Sequence, residues 1–168
     1  MKPVLAFLQN SWFHDPGAAR AVFKRHPEKR NELIARFLFA GCLTGRRLAV
    51  AFGKMRHQII WDEASPIFGD RASSVYRADK HHIRARIEDV NPAIILAFGQ
   101  IAGDAVRNVI ATLEFEGSVN WNVIYAPHPA ARGNPMPALH KAADDLAALI
   151  DPIHKLRQQT RAALQDQW

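Results

Sequence analysis

Four places along this chain set polar or aromatic side chains directly after a short apolar run. Gln9, Asn10, Ser11, Trp12 and Phe13 follow the first run, and Asp62, Glu63, Ala64, Ser65 and Pro66 the second. Gly99 and Gln100 follow the third, and Pro127, His128, Pro129, Ala130, Ala131 and Arg132 the fourth. In a parallel sheet, ligands bind beyond the carboxyl ends of the strands, so an amide, a carboxylate, an aromatic pair and an imidazole would converge on one rim. Each has two readings. An Asn10 amide holds a water but is a poor base, and the same residue type closes turns after strands. His128 is a donor suited to developing negative charge, or a ring satisfied by a carbonyl in its proline-flanked loop. Trp12 and Phe13 are stacking surfaces for a base or core side chains; as neighbours, one is expected to line a pocket and the other to be buried. Ionised, Asp62 only accepts hydrogen bonds, so as a ligand reader it favours a partner rich in donors. Capping the segment after its strand is the alternative.

Arg46, Arg47, Lys54, Arg56 and Arg132 fall in or just beyond expected loops, where they grip phosphates or form solvated surface. The net charge of +6 and sequence pI near 9.9 favour an anionic partner. Gly99 and Gly103 do not make a dinucleotide fingerprint, and Gly99 fits a strand-to-helix turn. His81 and His82 follow Asp79, but adjacent histidines point apart and no third ligand is evident, so no metal is expected. One cysteine, Cys42, excludes an intrachain disulfide and a cysteine-built metal cluster within one chain.

The elements that must position these groups are legible from the apolar pattern. Residues 4–8, 58–61, 93–98 and 121–126 read as strands buried on both faces. Helical spacing marks residues 31–39, 82–90, a stripe from Ile101 to Leu113, and 137–150. The alternation predicts an α/β fold, a three-layer α/β/α domain over residues 1–152 with a short four-stranded, mainly parallel sheet. Residues 153–168 read as a helical tail beyond Pro152. The run at 4–8 is too short for a signal-peptide core or a membrane span, which leads us to expect a cytoplasmic protein.

Taken in order, the strand running into Gln9-Asn10, the stretch from Pro92 through Gly99 to Ala102, and the strand running into His128-Pro129 resemble the uracil-DNA glycosylase superfamily. Phe37, Ala40-Gly41 and Arg47-Leu48 are similar to the helix and turn of its mismatch-specific uracil/thymine branch. The resemblance spans roughly residues 3–150. It implies a DNA glycosylase that hydrolyses the N-glycosidic bond of a flipped base without a cofactor, and the lack of a lysine nucleophile beside the motifs makes it monofunctional. Asn10 and His128 would be catalytic, facing one nucleoside from side-by-side exits of the first and last strands: Asn10 would orient water, and His128 would donate to the departing base. Gln9, Trp12, Phe13 and Asp62 would hold the base, and Arg46, Arg47 and Arg132 the phosphates. The implied partner is single- or double-stranded DNA, met by a monomer, with no membrane involved. Leu8, Ser11, Asp62 and Ala130-Ala131 depart from the family's pattern. Asp62, where many members carry asparagine, leads us to expect a base other than plain uracil. The competing expectations are a base-modifying enzyme of phage type on the same fold, a non-catalytic base- or nucleic-acid-binding module, and an unrelated flavodoxin-like nucleotide binder.

Overall fold

Consecutive apolar residues can all be buried only in a strand covered on both faces. β1 (Val4–Leu8) is such a strand, buried at every position. The computed structural model describes residues 3–9, 16–67, 77–117 and 120–151. In chain order the other elements are α1 (Pro16–Arg25), α2 (Arg30–Leu38), α3 (Leu43–Phe52), β2 (Ile59–Glu63), α4 (Lys80–Val90), β3 (Ile94–Phe98), α5 (Gln100–Phe115), β4 (Asn122–Ala126) and α6 (Met136–Ile150). Short 3-10 turns at Pro27–Lys29 and Gly53–His57 lead into α2 and β2. The expected tail at 153–168 lies outside the described residues.

All the strands pair in parallel, in the order β2-β1-β3-β4. Val4, Ala6, Leu8, Leu96 and Phe98 face a core built with Phe23, Ile34, Leu48, Phe52 and Leu139, so α1, α2, α3 and α6 cover one side. Leu5, Phe7, Ile95 and Ala97 face Ile83, Ile87, Val106 and Ile110, so α4 and α5 cover the other. The fold is therefore the three-layer α/β/α arrangement expected. Local chemistry sets several boundaries. Asp79 caps α4 by accepting from the backbone N–H groups of His81 and His82, at 2.9 and 3.1 Å. Asn91, in the left-handed region at φ 46°, ends that helix ahead of Pro92.

Two expectations need correction. α1 and α3 were not foreseen, and α3 turns Arg46 and Arg47 from loop residues into helix residues. β2 runs through Glu63, because its ladder with β1 continues to the Leu8–Glu63 pair. Asp62 therefore lies inside a strand rather than after one.

Asp62 has no exposed surface. Its Oδ2 accepts from Arg86 Nε at 2.6 Å and from Asn31 Nδ2 at 3.2 Å. Its Oδ1 accepts from Arg30 Nε at 3.3 Å and from the Glu63 backbone N–H at 2.8 Å. Arg86 also donates to Asn31 Oδ1, at 2.6 Å. Burial alone would raise this carboxyl; the His82 imidazole beside it, the Arg30 charge and the hydrogen bonds from Arg86 and Glu63 hold it well below the usual carboxylate range. Asn31 Nδ2 also donates to the Trp61 carbonyl at 2.8 Å, satisfying a group on the outer edge of β2.

Removing one partner from a buried ionic cluster typically costs about 3–5 kcal/mol, so Asp62→Ala should lower the unfolding free energy in urea by roughly that amount. Because the folded-state carboxyl is depressed, its stabilisation is complete above the unfolded-state value near about pH 4 and is lost as pH falls below it. Denaturation curves across that range should show the acid loss in the wild type and a flatter response in Asp62→Asn.

Candidate functional site

Hydrogen bonds beyond the strand ends hold the four exits in one rim. The Ala64 and Ser65 backbone N–H groups donate to the carbonyls of Leu8 (2.6 Å) and Gln9 (3.1 Å), and the Gly99 N–H donates to the Ala126 carbonyl at 2.8 Å. Strand order corrects one expectation: the exits of β1 and β4 are not side by side, because β3 runs between them. Two strand spacings separate them by about 10 Å. The residue at the intervening exit is Gly99, which has no side chain to fill that gap.

Gly99 sits at φ 84°, where glycine carries no steric penalty, and a Cβ there would stand 3.0 Å from the Cβ of His128. The His128 side chain thus lies against bare backbone at the start of α5. Its Nδ1 accepts from the Ala130 backbone N–H at 3.1 Å. Burial pushes the imidazole below its ordinary value, which favours the neutral ring. With Nδ1 acting as acceptor, the neutral ring carries its proton on Nε2. His128 is therefore a neutral hydrogen-bond donor, set at a strand exit.

Beside it opens a cleft of about 490 Å³, whose walls include Gly99, Gly103, Arg107, Tyr125, His128 and Ala131. The Tyr125 ring packs close to the backbone of α5 at Gly103, where a Cβ would lie 3.4 Å from its Cδ1. The Arg107 guanidinium covers the ring at 4.8 Å from its centre, and Arg107 is tied to Asp104 at 2.8 Å. Arg107 and Tyr125 were not foreseen. Gly99, at the N-cap of α5, is followed at spacings of four by Gly103 and Arg107, which puts a small residue and a cation on one helix face next to the turn. That spacing is the signal that could have found them.

The remaining site expectations divide. Asn10, Trp12 and Phe13 lie outside the described residues. Gln9 is half-buried at the β1 exit. Asp62 is removed from the base-binding set, because both its oxygens are occupied within the ionic cluster at the β2 edge. Arg47 is removed from the phosphate-binding set: its NH1 donates to the Pro129 carbonyl at 2.7 Å and to the Ala131 carbonyl at 3.5 Å. It ties α3 to the loop that carries His128. Arg46 and Arg132 are exposed, and Arg56 folds back to the Gly53 carbonyl at 3.0 Å.

Among the described residues no group of three or more His, Cys, Asp or Glu could hold a metal ion, and no helix is long and apolar enough to cross a membrane. Comparison of the chain with family models, curated proteins and solved structures gives no match.

Charge-assisted hydrogen bonds contribute about 1.5–3 kcal/mol, so Arg47→Met should speed hydrogen exchange at the Ala130 and Ala131 amides by roughly tenfold or more. Exchange in β1 and β3 should stay unchanged, which distinguishes loop release from global unfolding. Gly99→Ala meets both positive φ and the His128 side chain, and should lower stability by about 1–3 kcal/mol while shifting the His128 ring resonances.

Proposed function

We propose that this chain is a monofunctional DNA glycosylase, similar in plan to the uracil-DNA glycosylase superfamily. The observation that carries the reading is His128: a neutral imidazole with its proton on Nε2, on the wall of a cleft at the carboxyl end of a parallel sheet. Cleavage of an N-glycosidic bond sends the bonding electrons to the base and leaves the sugar carbon cation-like. A donor prepositioned toward the departing base oxygen stabilises that charge without protonating the base first. Water attacks the sugar carbon and releases its proton, giving a free base and an abasic sugar. Asn10, which follows Gln9 in the sequence, is the residue assigned to hold that water. No lysine occurs in the rim segments 9–15, 62–66, 99–104 and 126–132, which argues against a Schiff-base route.

Burial of Asp62 removes the reason to expect a base other than uracil, and with it the support for the base-modifying reading. Uracil is the first substrate to assay. We place the protein in the cytoplasm as a monomer acting on DNA.

Oligonucleotides carrying uracil, deaminated purines or amino-modified pyrimidines, followed by alkaline cleavage and mass spectrometry, test the proposal. Abasic product supports it; a mass gain, or binding without product, overturns it. Removing a donor of this kind typically costs roughly 10²–10³ in rate, so His128→Ala should lower kcat by about that factor. Because burial depresses the His128 ring, kcat should be level above its ordinary value near about 6.5 and fall on the acid side, as protonation removes the Nδ1 acceptor held by Ala130.

A further inference from the structure

Two helical segments on opposite sides of the sheet differ sharply in charge. Residues 16–57, which supply α1, α2 and α3, hold ten Lys and Arg against two acidic residues, a net +8. Residues 77–117, which supply α4 and α5 on the other side, hold five against six, a net −1. The excess is on the outside. Ala19 and Phe23 turn one face of α1 to the core, which leaves Arg20, Lys24 and Arg25 exposed. Arg36 on α2, Arg46 on α3 and Lys54 just beyond it are exposed as well. Among the described residues none of these six takes part in an ion pair.

We propose that the outer surface of α1, α2 and α3 is the track for the nucleic-acid backbone, and that the α4 and α5 layer faces away from it. This deepens the DNA reading and rests on it for the partner, but not on any bond being cleaved. Like charges held on one face without acidic partners repel one another, and a polyanion relieves that repulsion while releasing its condensed counterions. Arg20 and Lys24, one helical turn apart, suit neighbouring phosphates as a pair. The track leads to the cleft: Arg47 joins α3 to the His128 loop, and the exposed Arg132 continues that loop. Val50, 66% exposed between Arg46 and Lys54, gives the strip an apolar surface for sugar faces.

Two double variants with the same net charge test the placement. Arg20→Glu/Lys24→Glu reverses charge on the track; Lys80→Glu/Arg84→Glu reverses as much charge on α4, on the other side of the sheet. Fluorescence anisotropy with an unmodified oligonucleotide, read across a salt series, reports binding without any need for turnover. The track variant should weaken binding about tenfold or more and flatten the log–log salt slope by about 2, near 0.9 for each phosphate left without its cation. The control should change affinity less than about twofold and keep the wild-type slope. Circular dichroism and thermal melts confirm that both fold. Equal losses in the two variants overturn the placement, as does tighter binding of the wild type to phosphatidylserine vesicles than to the oligonucleotide. Salt-dependent binding on this face with no abasic product from any substrate would leave the track standing and overturn only the glycosylase reading.

Discussion

A carboxylate sealed from water is costly unless charge and hydrogen bonds surround it, and Asp62 obtains them from both helical layers. Arg30 and Asn31 come from α2 on one side of the sheet, and Arg86 from α4 on the other. The sheet lies between those helices everywhere except at its edge, so the ionic cluster wraps around β2 and clamps the layers together there. Asn31 serves twice, holding the carboxylate and covering the Trp61 carbonyl on the open side of the edge strand. Trp61 in turn stacks on Phe98 at 6.0 Å and meets Phe52 and Phe39 edge-on, so the clamp is continuous with the aromatic core under the rim.

The opposite edge is built differently. β4 is only partly buried along its length, and Tyr125 on it is exposed. Where β2 is closed by charge, β4 is left as the wall of a cleft. The rigid edge fixes the exits of β1 and β2 through ladder bonds that run past the strand ends, while the open edge presents His128 over the bare backbone of Gly99.

Charge follows the same division of labour. Arg30 and Arg86 act inward on Asp62, and Arg47 acts on the His128 loop, so these cations serve the fold and the site. The cations on the outer faces of α1, α2 and α3 have no such role within the described residues. That contrast separates structural arginines from a surface available to an anionic partner, a distinction that residue type alone does not make.

The sequence by itself determined the four strands to within two residues, because each is a short apolar run that ends at a polar or glycine-bearing loop, and in β1 and β3 all five side chains are buried between two layers. It also determined the α4 and α5 helices and the exits at Gln9, Gly99 and His128. Only tertiary structure decided what Asp62 and Arg47 do. Their partners lie 24 to 32 and 82 to 84 residues away in the chain, and no local periodicity encodes such a separation. Strand order decided the site likewise: the pattern of runs is the same whichever strand sits at the edge, and it is the placement of β3 between β1 and β4 that sets Gly99 between the exits at Gln9 and His128.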